Sequence, residues 1–164
     1  MAVLEIRKAG DPVLKKVCEP VKRVDKKVKR ILKDMADTLY KSKNGIGLAA
    51  PQVGILQRIV VIDLRDGNGL LELINPVITK REGSQITGEG CLSVPNFEGE
   101  VERAEYVECE YTDSKGKKQF IATDGLLAIC LQHETDHLDG ILFIDYLSGV
   151  KREMLMRKVN RGHK

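Results

Sequence analysis

The chain has 164 residues, 42% of them hydrophobic and 31% charged, which is the length and composition of one compact domain with a real core rather than a disordered chain. No apolar run approaches the roughly 20 residues a bilayer helix needs. The opening Met1-Ala-Val-Leu-Glu-Ile-Arg-Lys8 mixes acid and base and lacks the apolar core of a secretory leader. A single domain over residues 1–164, working in the cytoplasm, is the expectation. The formal charge of +3 hides a polarised chain: residues 22–33 hold seven bases and one acid, and residues 151–164 hold six and one. Between Glu82 and Glu110, eight glutamates face a single arginine. The four cysteines, at 18, 91, 109 and 130, are widely spaced without a CxxC pair, so reduced thiols are expected rather than a disulfide framework or a four-cysteine zinc ribbon.

Asp11-Pro12 reads as an N-cap followed by proline at the first helical position. A longer helix begins at Asp25, because Val28, Ile31, Leu32, Met35 and Leu39 recur at helical spacing opposite Lys26, Lys27, Lys29, Arg30 and Lys33; it should stop near Asn44-Gly45. Ile59–Asp63 and Leu70–Ile78 read as strands around the turn-rich Asp66-Gly-Asn-Gly69. Val107, Cys109 and Tyr111 alternate with glutamates, and Asp113-Ser-Lys-Gly116 turns that strand into Gln119–Thr123, an antiparallel hairpin. From Asp124 to about Gly140 the period returns to 3.6, and a final basic helix begins near Ser148. Strands clustered between helices without strict alternation indicate an α+β fold.

His133-Glu134-Thr135-Asp136-His137 is an HExxH motif. On a helix, positions four apart lie about 40° apart around the axis and about 6 Å along it, so two imidazoles can grip one ion with a glutamate placed to handle a proton. Random placement of this composition gives about 0.004 expected matches, so chance is a poor explanation. A catalytic centre of this kind needs a third protein ligand. Cys130, one turn before His133, is too far along the axis for a short thiol whose sulfur must approach to about 2.3 Å, and reads as wall. Cys91, within Glu89-Gly-Cys-Leu-Ser-Val-Pro95, is by spacing alone as well read as a structural thiol as a ligand.

Three segments together carry a resemblance. Gly45-Ile-Gly-Leu-Ala-Ala-Pro-Gln-Val-Gly54, Glu89-Gly-Cys-Leu-Ser93 and Gln132-His-Glu-Thr-Asp-His-Leu-Asp-Gly140 resemble, in order and separation, the signature segments of the peptide deformylases, and the likeness spans essentially the whole chain. It implies antiparallel sheets packed around a central HExxH helix, flanked by an N-terminal and a C-terminal helix. It implies that Cys91, His133 and His137 bind one divalent metal, natively ferrous iron, with zinc or nickel often replacing it. It further implies hydrolysis of the formamide of N-formylmethionyl nascent peptides, with Glu134 as general base and acid. The Gln52 amide and the Leu92 backbone N–H would stabilise the developing oxyanion. Ile46, Gly47 and the stretch near Gly90 would pair with the backbone of an extended peptide.

The helix supplies its own candidates for a methionine pocket. Leu126, Ile129 and Cys130 fall on the face of His133, whereas Leu127, Leu131 and Leu138 point elsewhere and read as core; by spacing alone both stripes read as core, and it is the resemblance that favours a methionine pocket for the first. The resemblance also pairs Glu89 with Arg103, for which an exposed pair worth about 0–1 kcal/mol is the plainer alternative. Two other functions compete. HExxH also serves metalloproteases, although the three segments together favour deformylation. The basic stretches would suit a nucleic-acid or ribosome-binding module, but aromatic residues are only 4%, tryptophan is absent, and no nucleic-acid motif appears, so specific DNA binding is not expected. With the resemblance, the basic terminal helix at 151–164 is expected to dock the enzyme near the ribosomal exit tunnel.

Overall fold

The computed structural model describes residues 3–147. Asp11 accepts the Val13 amide at 3.0 Å and caps a short 3-10 turn, Pro12–Lys15. Asp25 caps helix α1, Lys26–Lys41, through the Val28 amide at 3.0 Å. Along α1 the apolar row of Val28, Ile31, Leu32, Met35 and Leu39 is buried, while Lys26, Lys27, Lys29, Arg30 and Lys33 stay in water. The helix ends at Ser42, whose amide and hydroxyl both donate to the Leu39 carbonyl, two residues short of Asn44.

Seven strands follow: β1 (Gly47–Ala49), β2 (Ile59–Ile62), β3 (Leu71–Glu82), β4 (Gln85–Cys91), β5 (Val94–Arg103), β6 (Tyr106–Thr112) and β7 (Lys118–Asp124). Five of them form an antiparallel sheet in the order β1-β2-β3-β6-β7, and β4 pairs only with β5. β2 explains how the layers stack. Ile59 and Val61 pack into the cluster around α1, and Val60 and Ile62 into the cluster around helix α2, Gly125–Leu138, so all four are buried. That is why this strand reads as an unbroken apolar run, whereas β6 alternates. The hairpin of β6 and β7 forms as the sequence predicts, with Cys109 opposite Ile121 and Asp113 accepting the Lys115 and Lys117 amides at 2.9 Å each.

Helix α2 is buried at every position from Ala128 to Leu138. A helix without a wet face belongs in the middle of a domain. It lies against the sheet through Leu131 and Leu138, with Leu127 packed at the edge of the same cluster. Gly140 ends it at φ 78°, and a Cβ there would come within 2.5 Å of the Lys15 carbonyl oxygen, so conformation and space both require glycine. A third cluster, built from Leu14, Val94, Val101, Phe143 and Ile144, seats the β4–β5 hairpin on the N-terminal turn and on a 3-10 turn at Phe143–Tyr146.

Three features depart from the sequence reading. β3 runs on to Glu82 rather than ending at Ile78, through register shifts between Ile74 and Val77 and between Ile78 and Lys80. β1 is too short to show a period, and the inward positions of the β4–β5 hairpin mix Glu89, Gly99 and Arg103 with Phe97 and Val101, so its alternation is not an apolar one. The basic helix predicted from Ser148 lies outside the described residues.

Candidate active site

The donor atoms come from two places. β4 ends at Cys91, where the chain folds back so that Cys91 pairs with Val94. From α2, His133 and His137 present their rings one turn apart, edge to face with centroids 4.9 Å apart. His137 Nε2 lies 3.2 Å from His133 Nε2 and 3.4 Å from Cys91 Sγ, and the three donors all fall within 4.8 Å of one another. Bonds of about 2.0–2.1 Å to nitrogen and 2.3 Å to sulfur give a tetrahedron with edges of about 3.3–3.6 Å, so the donor set fits one ion of that geometry. No other such group of histidine, cysteine and carboxylate residues occurs among the described residues. Cys130 is outside it, as its position on the helix predicts.

Behind the donors stands a charged layer. Glu89 accepts from His133 Nδ1 at 2.9 Å, which orients the ring and turns Nε2 toward the cluster. Arg103 holds both oxygens of Glu89 at 2.8 Å, and the two side chains are each only 4% exposed. The pair that the resemblance names is therefore buried rather than a surface contact. Burial pushes the Glu89 carboxyl up, but Arg103 and then His133 outweigh it and hold it below the usual range. Burial likewise opposes charge on His133, where the Cys91 and Glu89 contacts prevail and raise it; His137 is lowered by burial and by the neighbouring His133. Among the described residues, His137 Nδ1 has no hydrogen-bond partner.

Glu134 sits one residue after His133, 5% exposed, and its Oε1 has no hydrogen-bond partner among the described residues. Burial pushes its carboxyl up to about 7, a value suited to taking and returning a proton near neutrality. Space for it comes from β1: a Cβ on Gly47 would lie 2.5 Å from Glu134 Oε2. Gly47 therefore admits the carboxylate as well as lining the cleft. Gln52, in the 3-10 turn Ala50–Val53, is fixed at both ends of its amide. Its Oε1 accepts the Ala49 N–H at 2.9 Å, and its Nε2 donates to Ser93 Oγ at 3.1 Å and to Cys91 Sγ at 3.4 Å. The Leu92 carbonyl accepts from Lys8 Nζ at 3.3 Å.

These groups open onto a cleft of about 840 Å³. Ile46, Gly47 and Gly90 line it, as do Leu126, Ile129 and Cys130. Ile129 and Cys130 are buried, while Leu126 is 52% exposed, which puts it at the mouth rather than the floor. Desolvation raises the Cys130 thiol far above its ordinary value, so it is wall and not a nucleophile. Cys91, Leu92, His133 and Glu134 also line this cleft, while His137 and Gln52 stand behind its wall in contact with Cys91. Sequence reasoning missed Ser93, Asp136 and Tyr146: the first two lie inside recognised motifs without a signal of their own, and Tyr146 has none.

A family model described as polypeptide deformylase matches residues 3–153. The chain belongs to the peptide deformylase family. It is 48% identical over 155 residues to a peptide deformylase of Halothermothrix orenii, covering 94% of this chain and 100% of that one. To the peptide deformylase of Acetivibrio thermocellus it is 53% identical over 145 residues, with 88% and 84% covered. A crystal structure of a peptide deformylase from Legionella pneumophila superposes with a TM-score of 0.94 at 42% identity, over 99% and 96% of the two chains. The α+β fold is that of the family. Peptide deformylases remove the N-formyl group from nascent peptides, and that is the activity of this enzyme. The family is metal-dependent, in keeping with the Cys91, His133 and His137 cluster. No helix among the described residues is long and apolar enough to cross a membrane.

Proposed function

We propose that Cys91, His133 and His137 hold one divalent metal, ferrous iron in the native enzyme, and that Glu134 is the general base and acid of formyl-group hydrolysis within a single catalytic domain. The observation that carries this reading is a buried carboxylate, unpartnered at Oε1, beside three mutually close nitrogen and sulfur donors on the wall of a peptide-sized cleft. When bound, the ion acidifies the attacking water and polarises the formyl oxygen. Zinc and nickel accept the same donors and can stand in for iron. Glu134 takes the proton of the water that adds to the formyl carbon, then delivers it to the departing nitrogen, so that formate and a free amino terminus leave. Gln52 Nε2 and the Leu92 N–H donate to the oxygen as it gains charge. The peptide lies extended beside Ile46, Gly47 and Gly90 while Leu126, Ile129 and Cys130 receive its methionine side chain.

Metal-loaded protein incubated with formyl-Met and acetyl-Met peptides should release formate from the first and leave the second intact. Cys91→Ser should lose most of its metal and activity. Internal cleavage of either peptide, or a serine variant with parental metal content and rate, would reject the reading.

The enzyme is proposed to work in the cytoplasm, where nascent peptides are made, and its basic stretch at 151–164 is proposed to dock it near the ribosomal exit tunnel through phosphate contacts. Cosedimentation with ribosomes should fall with added salt and with deletion of that stretch. Binding indifferent to both would dismiss the idea.

A further inference from the structure

The sulfur at the metal cluster rides on the β4–β5 hairpin and both nitrogens ride on α2, and β4 shares no backbone pairing with the main sheet. Something must set the distance between hairpin and helix. Arg103 spans it. From β5, its Nε and Nη2 grip Glu89, two residues before Cys91, and its Nη1 grips Asp136 Oδ2, one residue before His137, at 2.6 Å. One guanidinium therefore ties the strand of the sulfur to the helix of the imidazoles, at positions adjacent to the donors but not on them.

The guanidinium is itself held. Tyr146, in the 3-10 turn that follows α2, lays its ring 4.8 Å from Arg103 Cζ, and its hydroxyl donates to the same Asp136 Oδ2 at 2.8 Å. Asp136 is thus an anchor shared by Arg103 and Tyr146, and neither Asp136 nor Tyr146 lines the cleft. A planar fork with its partners fixed on two edges and a ring on its face has one orientation available, and that orientation is passed to Glu89 and from Glu89 to His133 Nδ1.

We propose that Asp136 and Tyr146 are positioning residues of the metal site, fixing Arg103 so that β4 stays locked to α2 and the Cys91 sulfur stays within bonding reach of the two imidazoles. The proposal rests on the reading of Cys91, His133 and His137 as ligands. A merely structural role would lower the melting temperature without touching the sulfur-to-metal bond, and that difference is measurable.

The test uses the full chain loaded with cobalt(II), whose thiolate charge-transfer band reports the sulfur bond, and follows cobalt release into excess chelator alongside kcat, KM and the melting of the metal-free protein. Asp136→Asn should release cobalt about 10-fold faster and Tyr146→Phe a few-fold faster, at the low end of what partners behind metal ligands contribute. Tyr146→Leu, which loses ring and hydroxyl together, should exceed Tyr146→Phe. In each case kcat should fall with KM unchanged. Parental release rates and an unaltered band in the Tyr146 variants would overturn the proposal, whatever happens to melting or to the folding of Asp136→Asn. A parental protein without a thiolate band would instead overturn the ligand reading, and the proposal with it.

Discussion

Glu134→Gln is expected to fold, keep its metal and lose activity by about 10²–10⁴-fold, the range in which a positioned acid–base group contributes. The substitution preserves the shape of a side chain that is 5% exposed and fitted against Gly47, so packing gives no reason for collapse. The three proposed donors are untouched, so metal content by elemental analysis should match the parent. Stability should not fall, because a buried carboxyl that burial drives up to about 7 is a group the fold holds against its preference for water. What disappears is the capacity to accept a proton. Steady-state kinetics on a formyl-Met peptide should therefore show the loss in kcat, with KM little changed. A rate within a few-fold of the parent would remove Glu134 from the chemistry, and loss of metal together with rate would assign it a structural role instead.

The parts of the fold that were legible in the sequence are those whose burial follows a period. α1 shows one apolar face and one lysine face, β6 alternates, and α2 returns to 3.6 with an HExxH motif whose two histidines meet because the helix makes them meet. The β4–β5 hairpin alternates in burial, but its inward positions are not a row of hydrophobes, and its function is the reason. Its buried positions include Glu89 and Arg103 along with Val101, and glycines at 88 and 90 face the cleft, so charge and absence of side chain stand where a strand would normally show hydrophobes. Local physics found two of the three clustered donors. The third, Cys91, and the Gln52 amide reach the site only through tertiary folding across roughly 40 residues or more, and no spacing rule connects them; the three-segment resemblance did. Cys130 shows the reverse case, since helix geometry alone excluded it from the cluster and put it on the cleft wall.

Arg103→Leu should be the most damaging single change to stability. The Arg103 and Glu89 side chains are 4% exposed and Asp136 is 12% exposed, so removing the cation leaves two acidic groups facing each other with little water to screen them. Breaking a buried pair in this way costs about 3–5 kcal/mol, because one partner remains charged and unmatched. The exposed pair Lys80–Glu82, with both side chains more than half exposed, sets the contrast: its loss should cost about 0–1 kcal/mol. Urea unfolding of the metal-free proteins distinguishes the two, and equal small effects would mean that the clamp is solvated in solution. The double variant Glu89→Gln with Arg103→Leu carries the argument one step further. If the damage comes from unmatched charge, neutralising Glu89 restores part of the stability, and the two changes are non-additive. Metal affinity should not recover with it, because a glutamine unsupported by Arg103 no longer fixes the His133 ring, and the sulfur and nitrogens again belong to two elements free to drift apart.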